Sequence, residues 1–95
     1  MAMTGSVDQS NARIDLVIDW VPVAGTQLIG SVYRRVGDFN APDEYVRGLY
    51  SSPLLGEQAF VSDHEAPLDR QVWYVATAEG TASVLTAGPF TIESS

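Results

Sequence analysis

The sequence predicts an all-β fold, an antiparallel sandwich of short strands. Apolar residues recur with a period of two along most of the chain. Turn-forming clusters of Gly, Pro, Asn and Asp interrupt it every 8–12 residues or so, at about the spacing of a sandwich. No apolar stripe at helical spacing runs beyond about two turns. The 95 residues make one domain, 1–95. Surface scaling gives about 5,300 Å² for the folded chain and about 14,800 Å² for the extended one, so about 64% is buried and one core suffices.

The ordered part is expected to cover about 7–93, with 1–6 flexible. Met1 to Ser10 is small and polar, with neither the basic nor the apolar region of a signal peptide. Val7 alone anchors a first strand, expected to be short or unpaired. Arg13 to Val21 is the clearest strand: Ile14, Leu16, Ile18 and Trp20 face one way, Asp15, Val17 and Asp19 the other. Val23 to Thr26 is a turn. Leu28 to Val36 is rich in β-branched and aromatic types and reads as the next strand. Gly37 and Asp38 end it, and Asn40 to Asp43 is a loop. Tyr45 to Arg47 is a short strand, and Gly48 to Gly56, with Pro53 inside, a loop whose Leu49, Tyr50, Leu54 and Leu55 are expected to cap the sandwich rather than contact a neighbour, with Tyr50 or Tyr33 also a candidate to stack sugars beside Trp73. Glu57 to Asp63 is a strand, and Glu65 to Asp69 a Pro-containing turn. Val72 to Ala78 is a strong strand, and Glu79 to Thr81 a tight turn. Ser83 to Ile92 closes the chain, with Pro89 marking a bulge or an edge because it cannot donate to a ladder. The count is six or seven strands.

Composition narrows the function. Twelve acids against five cations, all Arg, give a net charge of −7. Such a chain is a poor ligand for phosphate backbones and anionic membranes, so neither nucleic acid nor membrane insertion is expected. Cys is absent, which excludes disulfides, thiolate metal sites and a Cys nucleophile.

Three residues then sit where a fibronectin type III domain would have them. Trp20 lies inward on the second strand, Leu68 in the turn before the penultimate strand, and Tyr74 on that strand. The chain therefore resembles a seven-stranded antiparallel fibronectin III/Ig-like β-sandwich. The resemblance implies a tyrosine corner, with Leu68 plugging the core and the Tyr74 hydroxyl bonded back to the turn backbone. More narrowly, residues 11–20 (NARIDLVIDW), 32–35 (VYRR), 63–69 (DHEAPLD) and 72–77 (VWYVAT) resemble the N-terminal domain of minor tail proteins of actinobacterial phages. That implies a virion component, assembled in the host cytoplasm without a signal peptide, whose partners are other tail proteins or further copies of itself. The rival expectations are a host-surface glycan adhesin and an accessory domain of a secreted glycosidase.

The candidate chemistry is thin. Asp63, His64 and Glu65, with Asp69 nearby, form the one catalytic-looking cluster, but consecutive residues of an extended segment point to opposite sides. A second His for zinc is missing, and a weak calcium site would lack a spaced Asp/Asn/Gly loop. No Gly-x-Ser-x-Gly elbow or Gly-rich phosphate loop occurs. The expectation is a non-enzyme without cofactor or metal. Trp73 is more informative. With Tyr74 inward, Trp73 and Val75 face outward, joined by Tyr33 and Arg35 from the neighbouring strand if Val32 points in. Trp, Tyr and Arg are the types enriched in interface hot spots.

Overall fold

The computed structural model describes residues 2–20, 28–54, 58–79 and 84–94. Its strands are β1 (Ala2–Asp8), β2 (Arg13–Asp19), β3 (Ile29–Val36), β4 (Glu44–Tyr45), β5 (Ser52–Pro53), β6 (Gln58–Asp63), β7 (Val72–Glu79) and β8 (Val84–Phe90). None of the described residues is helical. The strands form two antiparallel sheets, one in the order β1-β2-β6 and one in the order β4-β3-β7-β8, with β5 also paired to β3. The expected turns at Val23 to Thr26 and at Gly80 and Thr81 lie outside the described residues, as do Leu55, Gly56 and Glu57.

Alternation decides which face of each strand is buried. On β2, Ile14, Leu16 and Ile18 are buried while Asp15, Val17 and Asp19 stay half-exposed. On β7, Val72, Tyr74 and Ala76 are fully enclosed. Both sheets feed one core, which also takes Trp20, Val32, Val61 and Ile92. Leu49 and Leu54 join it as the expected caps. The intervening segment runs back along β3, with Val32 N donating to Leu49 O and Leu54 N to Leu28 O.

The structure corrects several expectations. Residues 2–6, expected to be flexible, are paired strand: β1 matches β2 from Ala2 opposite Asp19 to Asp8 opposite Arg13. Met3, opposite Ile18, is buried and supplies the anchor that Val7 alone could not. The short strand after β3 is Glu44–Tyr45, and the loop beyond it contains β5. Leu68 does not plug the core. It is 46% exposed, while Ile92, bridged to it in parallel, is 1% exposed and fills that end together with Ala66. The turn explains the exchange: Asp69, at φ 59°, donates its N–H to Ile92 O at 2.7 Å and so draws Ile92 inward. Trp20, at 3% exposure, is core as expected.

Pro89 marks both a bulge and an edge. Val72 pairs with Phe90 but Tyr74 with Ala87, so β8 carries an extra residue there. Gly88 adopts φ +121°, and a Cβ at that position would lie 2.9 Å from Val72 O. On the same side of the molecule β1 of one sheet meets β8 of the other. A Cβ on Gly5 would stand 2.6 Å from Phe90 Cζ, so glycine is what lets the ring seat there. Gln9 and Glu93 add reciprocal hydrogen bonds, Gln9 Nε2 to Glu93 O and Glu93 N to Gln9 Oε1.

Candidate interaction face and the clasp beneath it

The outer face of the β3–β7 sheet carries the residues that alternation assigns to it. Tyr33 stands opposite Val75 and Arg35 opposite Trp73. The four residues expected to form an interface are thus adjacent across two strands. Trp73 is half-buried, with its Cδ1 edge close against the Gly88 bulge. Val75 departs from expectation: although outward-facing, it is buried. Tyr33 and Thr86 flank it on neighbouring strands, and Trp73 and Thr77 along its own, so its short side chain lies below the accessible surface.

β4 and the following loop extend the face with aromatic residues. Tyr45 pairs with Tyr33, their ring centroids 5.5 Å apart, and Tyr50 lies 4.2 Å from Tyr45, each pair tilted by more than 40°. Ser51 N donates to Ser31 Oγ and holds the loop that presents Tyr50. Tyr45 is 61% exposed. Its hydrogen bond with Tyr50 raises its pKa above the ordinary phenol value. At the other end Arg35 is fixed by Asp43 (Nε to Oδ1, 2.7 Å) and by the Phe39 carbonyl, with its guanidinium 5.2 Å from the Phe39 ring centroid. Trp73, Arg35 and Phe39 thus gather at one end of this face and Tyr33, Tyr45 and Tyr50 at the other. Tyr50, expected either as a cap or beside Trp73 and Tyr33, is exposed on this face, whereas sequence reasoning missed Phe39 and Tyr45, because their place depends on how β4 and the loops fold back onto β3.

Beneath this face lies a buried polar clasp. Arg34, beside Tyr33 in sequence but facing inward, donates Nη1 to both oxygens of Asp63 at 2.7 and 2.8 Å. Tyr74, opposite Arg34 across β3 and β7, donates its hydroxyl to Asp63 Oδ2 at 2.7 Å. Glu65 N donates to Asp63 Oδ1, and Arg34 Nε to Glu44 Oε1. Asp63 belongs to one sheet, Arg34 and Tyr74 to the other, so the bonds join the sheets. Burial pulls the Arg34 pKa down, but the hydrogen bonds and charge of Asp63, with Glu44 behind, outweigh it and the pKa ends above its ordinary value. Burial first, and the neighbouring Asp63 carboxylate second, push the Tyr74 phenol well above its ordinary range.

Tyr74 therefore bonds to a side chain at the end of β6, not to the turn backbone that a tyrosine corner implies. Asp63, first met as part of an acidic cluster, is inward and fully used, whereas His64 and Glu65 are exposed and Glu65 pairs with Arg47. The Asp69 carboxylate is taken by Ser94 N and Oγ. The missed residue, Arg34, had a signal: the period of two puts it on the inward face with Val32, and puts Asp63 on the inward face with Val61. Comparison with protein-family models, curated proteins and solved structures gives no match.

Proposed function

We propose that this chain is a non-enzymatic, fibronectin III-like interaction module that docks through the outer face of its β3–β7 sheet. Strand order supports the fold reading. Constant-type immunoglobulin domains set four strands, ABED, against three, CFG. Here the first sheet keeps three strands and the short β4 stands beside β3 instead, which favours the fibronectin-like arrangement. The segments resembling tail proteins supply Arg34, Asp63 and Tyr74, the residues that join the sheets. On that resemblance, the assembly we assign the module to is a phage or phage-like tail, where it spaces or docks neighbouring proteins.

The observation that carries the docking role is the set of aromatic residues at both ends of that face, from Trp73 to Tyr50. Rings of this kind bring large contact area at low conformational cost. Antibody against the domain should decorate tails in electron micrographs of particles from the producing cells. Trp73→Ala should weaken cross-linking to a tail protein while the domain stays folded. Unlabelled tails, together with glycan-array binding that Trp73→Ala abolishes, would replace this reading with the adhesin.

A further inference from the structure

The loop between β4 and β5 brings two phenols together. Tyr45 ends β4, and Tyr50 lies just before β5. Their ring centroids are 4.2 Å apart with the planes tilted by 45°, closer than the about 4.5–7 Å usual for aromatic pairs. A hydrogen bond joins the two side chains through their hydroxyls. It sets the ortho carbons that flank the hydroxyls side by side. The backbone beneath is fixed. Val46 N donates to Val32 O and Val32 N to Leu49 O, so both arms of the loop are bonded to one residue of β3. Val46 and Leu49, inside the loop, are buried in the core.

These two rings are also the ones an oxidant reaches. Tyr45 is 61% exposed and Tyr50 48%. The chain has no Cys to intercept an oxidant first. Among the described residues Met3, Trp20 and Tyr74 are buried, and Trp73 and Tyr33 are half-buried. The other phenols are less well placed for each other. Tyr33 stands 5.5 Å from Tyr45, and the ring beside Tyr74 is Phe90, at 6.1 Å.

We propose that Tyr45 and Tyr50 form a modification site, at which a one-electron oxidant of the peroxidase class joins the two rings as a dityrosine. Each phenol gives up one electron and its hydroxyl proton. The two ortho carbons then bond, and the hydrogen that each carried moves to its own oxygen, restoring both hydroxyls. The net loss is two electrons and two protons, which one hydrogen peroxide takes up to become two waters. Proximity selects the pair, because a radical on one ring has its partner already beside it. The product ties β4 to the start of β5, each otherwise joined to β3 by a two-residue pairing. It gives a cysteine-free chain a carbon–carbon bond that thiol reductants do not break. The inference needs only these two rings and does not rest on the docking reading.

Treatment of the dilute full chain with a peroxidase and limiting hydrogen peroxide tests it, followed by tryptic digestion and mass spectrometry. A light-driven ruthenium oxidant with persulfate serves for a matched pair of reactions with and without urea. The cations are all Arg, and cleavage after them puts each of the four tyrosines in a different peptide. Tyr45 lies in 36–47 and Tyr50 in 48–70. The expected product runs as a monomer, shows dityrosine fluorescence and yields these two peptides joined, lighter by two hydrogens. Tyr45→Phe and Tyr50→Phe should each remove it, and Tyr33→Phe should keep it. Residues this near in sequence also meet by chance in an unfolded chain, so urea should lower the yield by about threefold or more rather than abolish it. Absence of the joined peptides, a main product linking any other pair or two molecules, or an undiminished yield in urea overturns the inference.

Discussion

Arg34 grips both carboxylate oxygens of Asp63 across the space between the sheets, at 2.7 and 2.8 Å. The pair is enclosed, with side-chain exposures of 9% and 1%. A buried ion pair is sensitive in a particular way: removing one partner strands a charge, whereas replacing both by apolar groups can be neutral.

Asp63→Ala should therefore destabilise the fold by about 3–5 kcal/mol in urea denaturation. The double change Arg34→Met with Asp63→Leu should cost clearly less than Asp63→Ala alone. Equal or greater loss in the double variant would mean that the clasp acts through geometry that apolar packing cannot replace.

Tyr74→Phe should cost about 1–3 kcal/mol, because Asp63 loses a donor in a buried setting. Alkaline titration gives a second signature. A phenol whose pKa is raised by folding contributes stability that is complete below its unfolded value, near pH 10, and is lost as pH rises from there towards the folded value. Absorbance at the tyrosinate band should show a late component that appears with unfolding and is missing in Tyr74→Phe. Early, reversible ionisation of all four tyrosines in the folded protein would contradict this.

Gly5→Ala should destabilise by about 1–3 kcal/mol through overpacking, since the new methyl would meet the Phe90 ring and Leu16. Phe90→Leu made alongside should recover part of the loss. Additive effects of the two changes would show that the methyl and the ring do not compete for the same space.

Acid should act at two surface turns. The side chain of Asn11, followed by its backbone N–H and the Arg13 charge, lowers the Asp8 pKa; the Ser94 hydroxyl and N–H lower that of Asp69. A carboxylate lowered by folding stabilises fully above its unfolded value, close to 3.8, and loses that contribution as pH falls through the folded value. Asn11→Ala and Ser94→Ala should each flatten the fall of melting temperature below that pH. Curves parallel to wild type would exclude both turns as the source.

Much of the fold is legible in the residues themselves. The alternation from Ile14 to Trp20 and from Val72 to Ala78 specifies strands, faces and core, and Pro89 announces its bulge. Tyr33 and Arg35 land beside Val75 and Trp73 because parity alone fixes the outer face. Contacts made at a distance are less legible. Nothing near Gly5 says that Phe90 will fold onto it, and Met3 looks like part of a loose end until β2 is there to pair with. Leu68 and Ile92 compete for one end of the core, and the left-handed turn at Asp69 decides between them. Arg34 and Asp63 were available to parity, but an isolated charge reads as surface until its opposite is seen to face it.

The Arg34–Asp63–Tyr74 clasp has a consequence for where such a two-sheet fold can operate. A sulfur bridge between sheets needs an oxidant to form and is lost to thiol reductants. The tie in this protein assembles as fast as the chain folds and is indifferent to glutathione. It is redox-silent, so a reducing cytosol and an oxidising exterior are the same environment to it.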